Sequence, residues 1–197
     1  IYSISKDRTL YTLNSHQSFV VASNMKLLTT AAALVYLGSD FVYETEIFSR
    51  GPLTSEGKLQ GDIIILGSGD PNISGRFYHG KITAVPTLWA KRVEGRGIKV
   101  ITGDIIADDS IFDREFICDS WPRDQLSEWY CAPVSGLSFN DNCMDIVVRP
   151  NKGSGSLSSI QIEPITSYVK IFNTCKTTSL QSEHLYSLYR KPFTNSI

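Results

Sequence analysis

Val20-Val21-Ala22-Ser23-Asn24-Met25-Lys26-Leu27-Leu28-Thr29-Thr30-Ala31-Ala32-Ala33-Leu34-Val35-Tyr36-Leu37-Gly38 decides the reading of this chain. Over residues 24–37, Met25, Leu27, Leu28, Ala31, Ala32, Leu34, Val35 and Leu37 give a broad apolar face, and the alanines favour a helix. Ser23 stands where an N-cap residue would, and Gly38 where a helix is commonly stopped. The segment is apolar nearly all round, which predicts a buried helix.

Residues 1–22, ahead of that helix, read as a hairpin. Tyr2-Ser3-Ile4-Ser5 leads into a turn at Lys6-Asp7-Arg8, residues 9–13 alternate, and Asn14-Ser15 signals a second turn. Beyond the helix the texture changes to short strands and turns. Residues 43–48 alternate, residues 58–66 carry the run Ile63-Ile64-Ile65-Leu66, and Gly67-Ser68-Gly69-Asp70-Pro71 is a strong turn signal. Residues 83–94 predict a second helix whose start is limited by Pro86. Residues 98–107 predict a strand pair or a bent strand.

One echo runs through this region: Gly61-Asp62-Ile63-Ile64 returns as Gly103-Asp104-Ile105-Ile106. Two copies are too few for a solenoid, so each is expected to mark a strand entered through a Gly-Asp turn. Further strands are expected at 145–149, 159–162 and 168–172, with a Gly/Ser-rich turn over 150–156. The fold class is therefore α+β. The chain opens on a strand without an initiator Met and closes mid-pattern, as expected of part of a longer, processed protein.

Composition narrows the function classes. The 197 residues are 42% hydrophobic, enough for a packed core, and the net charge is −1 with the signs mixed. A nucleic-acid binder would need a basic face. No apolar run approaches the roughly 20 residues that span a bilayer, and membrane association is left open. Cys118, Cys131, Cys143 and Cys175 allow three pairings, and free or partly paired thiols are the preferred reading. Their spacing does not suit zinc. Asp108, Asp109 and Asp113 read as acidic turn residues rather than a cation site. Trp121, Trp129 and Tyr130 read as core or interdomain packing residues rather than a ligand platform. His16, His79 and His184 are scattered and carry no assigned role, and no cofactor motif is present.

The chemistry-bearing candidate is Ser23 with Lys26. A serine hydroxyl is a poor nucleophile until a base takes its proton. A lysine three residues later on a helix lies on the same face. Such a base has to be neutral, which partial burial and nearby positive charge favour. A helix N-terminus adds backbone N–H groups that stabilise an oxyanion. The spacing by itself is a weak signal, because 24 Ser and 10 Lys give about one such pair by chance. The chain holds four: Ser3/Lys6, Ser23/Lys26, Ser55/Lys58 and Ser167/Lys170. Two lie in strand-like alternation, where i and i+3 face opposite sides, and Ser55/Lys58 spans Gly57 in a loop. Only Ser23/Lys26 opens an apolar helix.

Residues 20–34 resemble the active-site helix of the D-alanyl-D-alanine carboxypeptidase/endopeptidase family, the class C low-molecular-mass penicillin-binding proteins. Segments similar to the family's continue in its order through Leu59-Gln60-Gly61-Asp62, Gly67-Ser68-Gly69-Asp70-Pro71, residues 103–113 and residues 129–142, so the resemblance covers essentially the whole chain. It implies the start of a β-lactamase/transpeptidase-like domain followed by inserted, mainly β domains. Residues 1–43 would begin the transpeptidase-like domain, 44–140 would form a second domain inserted after the helix, and 141–197 would begin a third. It also implies an exported, periplasmic or extracellular serine-type enzyme acting on peptidoglycan peptides through an acyl-enzyme. Ser23 would be the nucleophile, Lys26 the base, and β-lactam antibiotics the inhibitors.

The departures from the family pattern are specific. Val21 stands where the family usually has Pro. The family also needs a Ser-x-Asn and a Lys-Thr-Gly motif, which by its order fall beyond residue 197. Two segments mimic these motifs, Ser138-Phe139-Asn140 and Lys176-Thr177-Thr178. The former belongs to an inserted segment, and the latter ends in Thr where the strand backbone must lie close to substrate. The alternative expectation is therefore a catalytically incomplete, inactive fragment acting only as a binding or structural module.

Overall fold

The computed structural model describes residues 1–179, 183, 185–191 and 193–197. They divide into two compact units, Ile1–Val42 and Tyr43–Ile197. His184 lies outside the described residues.

In the first unit, β1 (Tyr2–Ser3) and β2 (Arg8–Thr9) pair antiparallel, Tyr2 opposite Thr9 and Ser3 opposite Arg8. The hairpin is shorter than the alternation over residues 9–13 suggests, because two isolated strands have no third partner to extend them. Asp7, at φ 47°, makes the turn. After a 3-10 turn at Ala22–Asn24, α1 runs Met25–Leu37. Gly38 ends it with a left-handed φ of 84°, and its N–H donates to the Leu34 carbonyl.

The helix thus falls where its pattern predicts, but its environment does not. No residue of α1 is buried, and Leu28 is 66% exposed. Apolar patterning records a helix's preference for cover, while the cover has to come from other elements. The two short strands of this unit do not supply it.

The second unit is built on a three-stranded sheet. Its strands are β3 (Glu46–Arg50), β5 (Asp62–Leu66) and β7 (Ile105–Asp108), in the order β3-β5-β7. β3 runs antiparallel to β5, with Ile47 opposite Ile65 and Ser49 opposite Ile63. Between β5 and β7 the chain crosses over through α2 (Ala84–Gly95), as a parallel pair requires. Pro86 sits in the first turn of α2, where a missing N–H costs nothing.

The Gly-Asp echo becomes a physical pairing. β4 (Lys58–Leu59) and β6 (Val100–Ile101) also pair parallel, and β5 and β7 lie with Ile63 beside Ile105 and Ile64 beside Ile106. The two copies therefore run side by side in register. The Gly103 N–H donates to the Gly61 carbonyl at 2.9 Å, and the Asp104 N–H to the Asp62 carboxylate at 2.8 Å. A Cβ on Gly61 would collide with the Arg50 carbonyl, and one on Gly103 with the Gly61 carbonyl. Both positions need glycine for close backbone approach.

The remainder of this unit is held by loops. The Gly67 N–H donates to Asp108 and the Gly69 N–H to Gly136, which pins the 67–71 turn. The Asn142 amide donates to the Pro133 carbonyl at 2.8 Å and the Ser138 hydroxyl at 3.0 Å. β8 (Asp145–Arg149) and β9 (Ser159–Glu163) form an antiparallel hairpin at the expected place. Residues 168–172, which read as a strand, make among the described residues only a bridge between Lys170 and Ser196 with backbone bonds to Asn195 and Ile197. The buried apolar side chains, Leu59, Ile63, Ile73, Ile82, Leu126 and Cys131, all belong to the second unit. All four cysteines are free.

Candidate functional site

The site begins with a departure from regular helix. Val21 to Met25 is wound as a 3-10 turn running into α1, and Ala22 within it adopts φ 45°. That left-handed conformation is costly for a residue with a Cβ, and such strain is found where a side chain must be presented in one orientation. Ser23 follows directly. It is not the N-cap that its position suggests: Asn24 fills that place, and no side chain caps the helix. The Ser23 hydroxyl instead accepts a hydrogen bond from Lys26 Nζ at 2.9 Å. One turn of backbone is enough to make this contact, because residues i and i+3 are neighbours on a helical face.

The arrangement sets a hydroxyl and an amine at a distance over which a proton can pass, as a nucleophile–base pair requires. Both side chains are exposed among the described residues. The N–H groups just after Ser23 are already engaged. Asn24 donates to Val21 at 2.9 Å, and Met25 donates to the Ala22 carbonyl. The oxyanion donors expected from the helix N-terminus are thus not those two amides.

Ser138 and Asn140, of the segment that mimics Ser-x-Asn, lie in the second unit and are spent on local structure. The Ser138 hydroxyl donates to the Ser135 carbonyl and accepts from Asn142, while the largely buried Asn140 amide donates to the Cys143 carbonyl. Asn140, Asp141 and Asn142 form a left-handed run at φ 50°, 56° and 52°. Asp141 is tied to Arg76 at 3.0 Å. In the segment that mimics Lys-Thr-Gly, Lys176 forms a β-bridge with Leu157 and the Thr177 hydroxyl accepts from the Asn151 N–H.

The acidic residues shape turns. The Asp108 carboxylate accepts from the Ser110 N–H and that of Asp113 from the Glu115 N–H. The Ser110 bonds hold the Asp108 carboxyl below the usual carboxylate range. Among the described residues, no three His, Cys, Asp or Glu side chains converge to hold a metal ion.

Of the aromatic reading, the core alternative is not met at Trp129 and Tyr130. Trp129 and Tyr130 pack on each other edge to face at 6.0 Å, but both stand exposed, Trp129 by 72%. The feature that sequence reasoning misses is Ala22. Alanine carries no signal for left-handed backbone, so only the structure reveals the presented turn.

A family model described as the D-Ala-D-Ala carboxypeptidase 3 (S13) family matches residues 1–197. The D-alanyl-D-alanine carboxypeptidase of Actinomadura sp. is 29% identical over 194 residues, covering 95% of this chain and 34% of that protein. The D-alanyl-D-alanine carboxypeptidase DacB of Haemophilus influenzae is 27% identical over 161 residues, covering 81% of this chain and 32% of that protein. Among solved structures, penicillin binding protein 4 (dacB) from Haemophilus influenzae superposes with a TM-score of 0.69 at 24% identity, over 86% of this chain and 35% of that one. That likeness bears on the fold and agrees with the α+β reading. The chain spans about a third of the length of the curated relatives it matches.

Proposed function

Because the chain belongs to the D-Ala-D-Ala carboxypeptidase 3 (S13) family, we propose that it carries the nucleophile and base of a serine-type D-alanyl-D-alanine carboxypeptidase/endopeptidase acting on peptidoglycan peptides. The observation behind this reading is the 2.9 Å contact between Lys26 Nζ and Ser23 Oγ at the head of α1.

Ser23 Oγ attacks the carbonyl carbon between the two D-alanines while its proton passes to Lys26 Nζ. The proton then moves to the nitrogen of the departing D-alanine as the C–N bond breaks. Water hydrolyses the resulting ester and regenerates the serine. A β-lactam is attacked at its ring carbonyl in the same way, and the ring nitrogen takes the proton.

Support for inhibition by β-lactams comes from a relative. A second structure of the Haemophilus influenzae protein is described as complexed with a novel β-lactam. A peptidoglycan substrate supports a location outside the cytoplasmic membrane, in the periplasm or the extracellular space. In this reading residues 1–43 begin the transpeptidase-like domain, 44–140 form an inserted domain, and 141–197 begin another.

The exposure of Ser23 and Lys26 favours a second statement about the 197 residues taken alone. Without further donors for the oxyanion, they act as a binding or structural module and are not acylated. Labelled penicillin distinguishes the two. In a chain that also carries the Ser-x-Asn and Lys-Thr-Gly motifs, label is expected on Ser23. Label on any other residue overturns the assignment. Stoichiometric acylation of the 197 residues alone overturns the second statement.

A further inference from the structure

A cleft of about 480 Å³ opens in the second unit between the edge strand β3 and helix α2, and none of the described residues that line it is assigned above to the serine chemistry. Its floor is apolar. Ile47 and Ser49 alternate onto one face of β3, and the antiparallel register sets the buried Ile63 on that same face. Leu53 extends the floor, and Trp89 and Val93 of α2 form the wall.

Three polar features of the cleft lack partners. Arg92 and Arg96 are one helical turn apart on α2, and both line it. Neither guanidinium has an ion-pair or hydrogen-bond partner among the described residues. Thr45 also lines the cleft, and its buried hydroxyl makes no hydrogen bond. Buried polar groups are paired in the great majority of structures, so an orphan beside an open cleft points to a guest. No carboxylate lines the cleft among the described residues. Between Lys91 and Lys99 four basic side chains face one acid, Glu94.

The position of β3 says what kind of guest fits. Among the described residues it is paired on one side only, to β5, so its other edge carries main-chain donors and acceptors that another backbone can use. A groove between a free strand edge and a helix is a peptide-recognition geometry, in which main-chain bonds give affinity and alternate side chains fill the floor. An arginine guanidinium recognises a carboxylate through two parallel N–H bonds. The volume suits a few residues.

We propose that this groove binds the extended C-terminal end of a partner protein, with its terminal carboxylate on Arg92 and Arg96, its apolar side chains on Ile47 and Ile63, and a backbone amide on the Thr45 hydroxyl. The proposal stands independently of the serine chemistry.

The test is fluorescence anisotropy with a labelled octapeptide of alternating valine and serine that ends in a free valine carboxylate, alongside its C-terminal amide. The acid is expected to bind about tenfold or more tightly than the amide, the worth of a charge-assisted bidentate contact. An Arg92→Ala/Arg96→Ala double variant, with unchanged circular dichroism, is expected to lose that preference. Thr45→Val is expected to weaken binding several-fold without lowering the melting temperature. Absence of binding, equal binding of acid and amide, or a preference that survives in the double variant would overturn the proposal. So would failure of the peptide together with arginine-dependent binding to phosphatidylglycerol vesicles, which would assign the groove to a lipid headgroup.

Discussion

In residues Ile1–Val42 no side chain is buried, whereas Tyr43–Ile197 contain every buried apolar side chain among the described residues. The first unit nevertheless carries the proposed nucleophile and base, Ser23 and Lys26, and the second carries the sheet, the pinned turns and the core. Chemistry and stability are thus drawn from different kinds of contact. Ser23 and Lys26 meet because they are three residues apart on one turn, and no tertiary packing is needed to bring them to 2.9 Å. Leu59 and Ile63 are buried only because β4 and β5 have partners distant in sequence at β6 and β7.

Substitutions probe this contrast in a definite order. The largest effect is expected at Ser23. In a chain carrying the remaining motifs, Ser23→Ala should abolish acylation by labelled penicillin, read by intact mass, with no change in unfolding midpoint. Lys26→Ala should slow acylation by ~10²–10⁴-fold, the usual worth of a positioned base, again without loss of stability. A large fall in stability for either would mean that the two residues are structural.

Next comes the core. Leu59 is 1% exposed, so Leu59→Ala should cost about 2–5 kcal/mol in urea unfolding of the 197 residues. Acidification gives a smaller effect. The Asp62 carboxyl is held below the usual carboxylate range, chiefly by the Asp104 N–H and then by Arg50. A carboxylate with a depressed folded-state pKa stabilises the fold above its unfolded value of about 3.9, and that support is lost as pH falls through the folded value. Unfolding curves should therefore weaken below about pH 4, and Asp62→Asn should flatten that dependence. The smallest effect is expected at Leu28, where alanine should change stability by no more than about 0.5 kcal/mol. A cost at Leu28 equal to that at Leu59 would erase the distinction between the two units.

The same contrast explains what is legible in the sequence. The α1 helix is legible because alanine content and apolar spacing act within the segment, and so is the Ser23–Lys26 pair. The echo at Gly61 and Gly103 is legible as two strand entries, although not as neighbours. The exposure of α1 is not, since patterning does not say which element provides cover. Residues 168–172 alternate like a strand but have no ladder beyond Ser196. Trp129 is apolar enough for a core and stands outside one. The groove at Thr45, Arg92 and Arg96 is invisible for the same reason, being assembled by strand order and a crossover helix.

The echoed Gly-Asp pair has a consequence for how the sheet finds its alignment. Adjacent antiparallel strands can take their register from a tight turn, but β5 and β7 are joined by a long crossover that imposes none. The two copies act as matching marks on two rulers. With Asp62 on the Asp104 amide, both glycines fall where two backbones touch. A slip of one residue would bring Thr102 or Asp104, each with a Cβ, into the space that Gly103 leaves empty against Gly61, and would leave the Asp62 carboxylate without its amide. Misaligned pairings are therefore rejected by collision as well as by lost bonding.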